Sequence, residues 1–306
     1  MTPTPAGPPD ESAIAARALQ HGLKLEGDIE LVDMGLDFRV AFATDASGTR
    51  WVLRIPRRPD VWPRALNEAR VLRLLKGRLP AEVPDWQVVS PELIAYPRLA
   101  GTTALTLDPT SHEPTWHIDK DSAPFTESFA RILASLHGID PAEASAAGLK
   151  TSTPAEARKA FADDLHRVKR EVGIGDDLWR RWRSWVDDDA SWPTFSALVH
   201  GDLYVAHVVV DAGSNATGVL DWTEAEVSDP SIDFTGHRLG FGEEGLDRLL
   251  AAYETAGGRT WPGMKQHIAE RQSAFPIKYA LFALASGLDE HLDAARAQLG
   301  VAPNAG

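Results

Sequence analysis

Cysteine is absent from this chain of 306 residues, which excludes a disulfide scaffold, a thiolate nucleophile and a cysteine-ligated zinc site. Positive charge is also short. Lys and Arg number 31 against 44 Asp and Glu, a formal net charge of -13, which argues against a nucleic-acid-binding surface and suits a small neutral or cationic partner better. No apolar run reaches membrane-spanning length, and Phe282–Ser286 is too short. The proline-rich opening lacks the basic and apolar regions of a secretory signal. A cytoplasmic protein with no membrane and no nucleic-acid partner is therefore expected. A glycine-rich phosphate loop is missing too: Gly35 stands alone between two strands, where an ordinary tight turn and a phosphate contact fit about equally well. No internal repeat is evident, and the 43% hydrophobic content suffices for a sizeable core in two lobes rather than one.

What is present falls into an early sheet and a late helical half. Residues 1–10 read as a disordered start and Glu11–Gln20 as a first helix. Ile29–Met34, Phe38–Thr44 and Trp51–Ile55 read as successive antiparallel strands, with Asp45–Gly48 as the turn between the last two. Pro63–Leu75 follows as a helix whose apolar stripe is Leu66, Ala69, Leu72 and Leu75. Val88–Val89 and Glu92–Tyr96 complete a five-stranded sheet. Pro97–Thr102 reads as a connector and residues 103–124 as irregular. Helices are then expected over Phe125–His137, Pro154–Glu171, Asp176–Val186, Glu243–Ala256, Met264–Ala285 with a break at Pro276, and Glu290–Leu299. Trp179, Trp182, Trp185 and Trp192 suit either a large apolar ligand or core packing, and their helical spacing favours the core.

The chemistry concentrates in His200–His207 and Val219–Trp222. Val208–Val210 and Gly218–Leu220 read as two strands of a hairpin, with turn residues between. Such a hairpin folds Asp221 back towards the loop carrying Asp202 and His207, a place to hold a divalent cation. One imidazole with carboxylate oxygens and open positions suits magnesium bridging the phosphates of a nucleotide. Asp202, behind a glycine, could accept a proton from a hydroxyl or hold a metal. His200 reads as a structural hydrogen-bonder and Asp233 as a buried loop organiser. Arg54 lies inside an apolar strand, where it could pair with Glu68 of the next helix and meet phosphate oxygens; a strand-edge arginine facing water is the plainer alternative.

The ordered series His200-Gly-Asp-Leu-Tyr-Val-Ala-His207, Val219-Leu-Asp-Trp222 and Asp229-Pro-Ser-Ile-Asp233 resembles the kinase-like antibiotic phosphotransferases of the aminoglycoside phosphotransferase family. Within them it is similar to the macrolide 2'-phosphotransferase group. Arg50–Arg58, Val83–Trp86, Ala95–Pro97, Asp187–Pro193 and Phe241–Leu246 support the likeness. It implies an α+β, two-lobed protein-kinase-like fold: a small antiparallel-sheet lobe over residues 11–98 and a larger helical lobe over 99–306. It implies transfer of the γ-phosphoryl group of GTP, or ATP, to the 2'-hydroxyl of a macrolide amino sugar, with Mg2+ held by His207 and Asp221. Asp202 would orient and activate that hydroxyl, and His200 and Asp233 would hold its loop. Nucleotide contacts would come from Arg54, Glu68 and the connector residues Ala95, Tyr96 and Leu99. Arginine at 54 and tyrosine at 204 depart from the commoner lysine and histidine of the aminoglycoside enzymes. The apolar lactone would lie against residues 155–192 and 234–290, and a monomer is expected. The alternatives are a kinase of another small hydroxylated molecule (an aminoglycoside, a choline-like amine or a sugar) and a kinase-fold binding module without catalysis.

Overall fold

Asp10 opens the ordered chain by accepting a hydrogen bond from the Ala13 N–H at 2.9 Å, which caps helix α1 (Glu11–Gln20). The computed structural model describes residues 10–32, 37–108, 111 and 113–301. The start expected to be disordered (residues 1–9 of it) and the turn expected at Gly35 lie outside the described residues. The chain divides into two compact units. One runs to Ile118 and takes back Ala206–Thr223; the other holds Asp119–Val205 and everything from Glu224 onward.

The first unit contains β1 (Leu25–Val32), β2 (Phe38–Asp45), β3 (Arg50–Pro56), helix α2 (Val61–Leu75), β4 (Val88–Val89) and β5 (Ile94–Pro97). These strands form one antiparallel sheet in the order β1-β2-β3-β5-β4. Period-two alternation gives it two apolar faces. Ala41, Leu53, Ile55 and Ala95 pack with Ile14 and Ala18 of α1. Phe38, Val52, Ile94 and Tyr96 pack with Val61 and Ala65 of α2. The apolar stripe of α2 is rotated from expectation. Val61, Ala65, Glu68, Val71, Leu72 and Leu75 are buried, while Leu66 and Ala69 are only half-buried. Glu68 is why: its ion pair with Arg54 makes a charged position part of the buried face.

Beyond the expected connector come β6 (Thr102–Thr103), β7 (Leu105–Leu107) and β8 (Pro114–Trp116), where an irregular stretch was expected. The second unit then begins with α3 (Ala123–His137), α4 (Pro141–Ala146), α5 (Pro154–Glu171), α6 (Asp176–Asp187) and β9 (Ala197–Val199). The chain returns to the first unit for β10 (Val208–Val210) and β11 (Ala216–Val219). This hairpin is bound there on both sides. Val209 and Val210 of β10 pair with Thr103 and Thr102 of β6. Glu82 brackets β11, its N–H donating to Thr217 O at 2.8 Å and its carbonyl accepting from Val219 N at 3.0 Å. Those hydrogen bonds are why a division at residue 98 or 99 is not the one the contacts make.

The second unit is completed by β12 (Glu226–Ser228), paired with β9, and by α7 (Ile232–Thr255), α8 (Met264–Ser273), α9 (Phe275–Ser286) and α10 (Asp289–Gln298). Helix α7 begins well ahead of the expected Glu243–Ala256 segment and kinks at Gly242, whose φ of 72° is open to glycine at no steric cost. Trp182, Trp185 and Trp192 are buried in one core cluster with α9 and α10 residues, and Trp185 and Trp192 stack at 5.1 Å. The core reading of the tryptophans is the one realised. Among the described residues no helix is long and apolar enough to cross a membrane.

Candidate active site

The second unit carries the loop His200–Tyr204, which follows the fully buried strand β9. Gly201 lies at φ 85°, and a Cβ built there would meet the carbonyl oxygen of Glu224 at 2.4 Å. Only glycine satisfies both conditions. From the first turn of α7, the buried Asp233 carboxylate clamps this loop. Its Oδ2 accepts from the His200 N–H at 2.8 Å and its Oδ1 from the Gly201 N–H at 3.0 Å. A helix N-terminus favours the negative charge placed there. His200 is fully buried, and its Nδ1 accepts from the Asp202 N–H at 3.3 Å. The loop thus holds Asp202 through its backbone and leaves the carboxylate half-exposed, with Lys278 Nζ of α9 3.4 Å from Oδ1. A second contact seats α7 beside the loop: a Cβ at Gly236 would lie 2.4 Å from the Leu203 carbonyl.

Behind Asp233 stand two residues that sequence reasoning missed. His137 Nε2 lies 3.2 Å from Asp233 Oδ2, and His137 Nδ1 lies 2.9 Å from the Tyr253 hydroxyl. An ionised carboxylate only accepts, so Nε2–H donates to it and Nδ1 accepts from the tyrosine. Burial, aided by the charge of Asp233, raises the Tyr253 pKa and keeps it a donor. The only sequence signal was a polar residue ending the apolar stripe of α3. Asp229, at the start of the same segment, is also buried. It accepts from Ser231 N at 2.9 Å and from His267 Nε2 at 2.7 Å, and it pairs with Arg271. Burial works against its charge, but Arg271 and His267 outweigh it and hold the pKa below the usual carboxylate range.

The first unit carries a buried cation. Arg54 shares a face of the sheet with Val52 and is buried, with Glu68 of α2 fully buried beside it. Nη1 of Arg54 donates to both Glu68 oxygens, at 2.8 and 2.9 Å, and its guanidinium lies 4.1 Å over the Phe38 ring. Burial opposes the charge of Arg54. Glu68, Tyr96 and Asp221 more than offset it, so the pKa moves up and the cation is permanent. Burial likewise pushes the Tyr96 phenol up to about 12, with Arg54 pulling the other way. Glu68 also accepts from the Thr223 hydroxyl at 2.9 Å, and that oxygen is 3.0 Å from Asp221 Oδ1.

Asp221 is folded back on His207: the Leu220 N–H donates to the His207 carbonyl at 2.9 Å, and Asp221 Oδ2 lies 3.8 Å from His207 Nε2. An imidazole nitrogen and a carboxylate oxygen so placed can reach one divalent cation. No cluster of three or more such groups occurs among the described residues, and a cation would complete its shell with water and phosphate oxygens, as Mg2+ commonly does. The donor set therefore fits a cation with open coordination positions better than a closed structural site. The structure brings Arg54, Glu68, Tyr96 and Asp221 within electrostatic reach of one another. It places Ala95 elsewhere: its side chain belongs to the opposite, α1-side core and its carbonyl accepts from Gln87 N at 2.9 Å. Leu99 is buried against β11, where a Cβ on Gly218 would meet its Cδ2 at 2.6 Å. Asp202, His200 and Asp233 belong to the second unit, and His207 and Asp221 to the first.

Residues 28–267 match the model of the phosphotransferase enzyme family. A solved structure of a macrolide 2'-phosphotransferase type I is 50% identical, covers 99% of this chain and 100% of its own, and superposes with a TM-score of 0.89. The apoenzyme of macrolide 2'-phosphotransferase MphH from Brachybacterium faecium is 43% identical, with 97% and 100% coverage and a TM-score of 0.91. The uncharacterised protein YcbJ of Bacillus subtilis (strain 168) is 44% identical over 94% of this chain and 95% of its own. With this match running through both units, the chain belongs to the phosphotransferase enzyme family.

Proposed function

We propose that this phosphotransferase moves the γ-phosphoryl group of GTP, or alternatively ATP, to the 2'-hydroxyl of the amino sugar of a macrolide antibiotic and so inactivates it. The observation that carries the reading is the full-length likeness to two macrolide 2'-phosphotransferases, together with the presence of Asp202, His207, Asp221, Arg54 and Glu68. GTP is preferred here on the family resemblance alone. The protein acts as a monomer in the cytoplasm, where nucleoside triphosphates are available.

Phosphoryl transfer asks a protein mainly for positioning and charge stabilisation. Asp202 takes the acceptor hydroxyl as a hydrogen-bond donor and aligns its oxygen for in-line attack. A carboxylate is a weak base towards an alcohol, so the proton passes to Asp202 late, as the O–P bond forms. His200 and Asp233 fix the loop that carries it. Arg54 meets phosphate oxygens with the part of its fork not engaged by Glu68, and Tyr96 borders the nucleotide. His207 and Asp221 would hold Mg2+, which would supply neutralising charge at the phosphates.

The acceptor surface narrows within the second unit. The large apolar side chains exposed there are Tyr204, Leu239, Phe275, Phe282 and Leu288, and none falls in residues 155–192, whose tryptophans are core or partly buried. Phe275 and Phe282 share a helix face with Lys278, the residue that meets Asp202. The lactone ring lies against this apolar rim, and the acidic composition suits its protonated dimethylamino sugar. Purified protein supplied with GTP or ATP and either erythromycin or kanamycin tests the reading. Labelled phosphate in erythromycin is the expected result; phosphate in kanamycin alone would overturn it.

A further inference from the structure

One hydroxyl in the first unit stands between two carboxylates. Thr223 Oγ is 2.9 Å from Glu68 Oε2 and 3.0 Å from Asp221 Oδ1. A hydroxyl has a single proton, so it donates to one carboxylate at a time. The two acceptors are not alike. Glu68 is fully buried and already neutralised by Arg54 at 2.8 Å, and the Trp222 N–H approaches its Oε1 at 3.4 Å. Asp221 is half-exposed, and its other oxygen, Oδ2, lies 3.8 Å from His207 Nε2.

The backbone around Asp221 is constrained for this arrangement. Asp221 sits at φ 60°, in the left-handed region that non-glycine residues seldom occupy. It is held there from both sides. Leu220 N–H is bonded to His207, and the fully buried Trp222 donates its indole N–H to the Val219 carbonyl at 3.0 Å. With the backbone fixed, the carboxylate is turned by its side-chain contacts, and Thr223 engages Oδ1. Oδ2 is then the oxygen turned towards His207.

We propose that Thr223 is a positioning residue for the divalent cation. Its hydroxyl sets Asp221 so that Oδ2 and His207 Nε2 face the same ion, and through Glu68 it ties that carboxylate to Arg54. The proposal rests on reading His207 and Asp221 as cation ligands.

Mn2+ binding to the full chain, followed by electron paramagnetic resonance with and without GDP, tests it without any acceptor. Thr223→Val is expected to weaken Mn2+ binding by about tenfold, the loss usual when a partner that orients a metal ligand is removed. Thr223→Ser, which keeps the hydroxyl, restores the native affinity. Circular dichroism confirms folding of each variant, and Thr223→Ala replaces the valine variant if the latter does not fold. Native Mn2+ affinity in a folded Val or Ala variant, or a serine variant as weak as valine, overturns the proposal. His207→Ala separates the two layers. If it leaves Mn2+ binding intact, the ligand assignment falls and the proposal falls with it; if it abolishes binding while Thr223→Val does not, only the role of Thr223 is lost.

Discussion

Asp233 and Gly201, 32 positions apart, are joined by a hydrogen bond of 3.0 Å from the glycine N–H to a carboxylate with no solvent exposure. The other oxygen of the same carboxylate takes the neighbouring N–H of His200 at 2.8 Å. One buried side chain thus satisfies two backbone donors that a tight loop cannot satisfy itself. Asp233→Ala leaves both donors without that acceptor, at a cost of roughly 1–3 kcal/mol for each. Asp233→Asn turns an amide NH2 towards one of them and loses part of the same energy. Urea unfolding of the two variants should show alanine the less stable, with phosphotransferase turnover reduced in both.

Asp202→Asn should separate chemistry from folding. The side chain is half-exposed and its backbone is held independently of its carboxylate. The melting temperature should therefore stay near native while turnover falls by about a hundredfold or more, the usual worth of a positioned base. Unchanged turnover would remove Asp202 from the mechanism.

The Arg54–Glu68 pair should behave as a unit. Removing one partner leaves an uncompensated charge in a buried site, and Glu68→Ala is expected to lose about 3–5 kcal/mol. The combined change Arg54→Met with Glu68→Leu removes both charges and should be less destabilising than Glu68→Ala. Nucleotide binding, which the proposed mechanism assigns to the guanidinium, should still be lost in the double variant. Calorimetric unfolding with a nucleotide titration checks both statements. Arg54→Lys keeps the charge but loses the fork, so it should retain more stability than binding.

His237 sets an acid sensitivity in the second unit. It stacks on Phe241 at 4.1 Å and donates its Nε2–H to the Gly245 carbonyl at 3.2 Å, while its Nδ1 is buried without a partner among the described residues. Burial lowers its pKa to about 4, against the ordinary value of 6.5. The unfolded chain therefore binds this proton more readily than the folded one. Its contribution is complete above pH 6.5, declines as pH falls and levels off near pH 4, a total on the order of 3 kcal/mol. His267, also lowered by burial against the pull of Asp229, adds in the same direction. His237→Phe should flatten the stability profile between these limits, measured by urea unfolding at a series of pH values. An unchanged slope would move the effect to His267.

Helices with strong local signals were legible in the chain itself. The helix expected at Glu11–Gln20 begins where Asp10 caps it, and Pro154–Glu171 starts at a capping box between Thr153 and Glu156. Arg54 could be singled out because a charge inside an apolar strand contradicts its surroundings. The short strands could not. β6 has two residues and β9 three, too few to show a period, and each exists because a distant strand, β10 or β12, supplies its hydrogen bonds. The same holds for the site. Asp202, His207 and Asp221 sit in a recognisable motif, whereas His137, Tyr253 and Thr223 become visible only when the fold delivers a carboxylate to them. Ala95 and Tyr96 show what adjacency leaves open: successive residues of a strand face opposite ways, and the two side chains pack into different cores.

The double passage of the chain between its units also bears on how such a protein could be recombined. The cationic pair comes from the first hundred residues, but the Thr223 hydroxyl and the Asp221 carboxylate beside it come from the returning segment Ala206–Thr223. A chimera that exchanged only the N-terminal portion for a relative's would join a foreign Arg54 and Glu68 to the resident hairpin. The inheritable module is discontinuous, and a graft that keeps its internal hydrogen bonds must carry the stretch from Ala206 to Thr223 as a second insert.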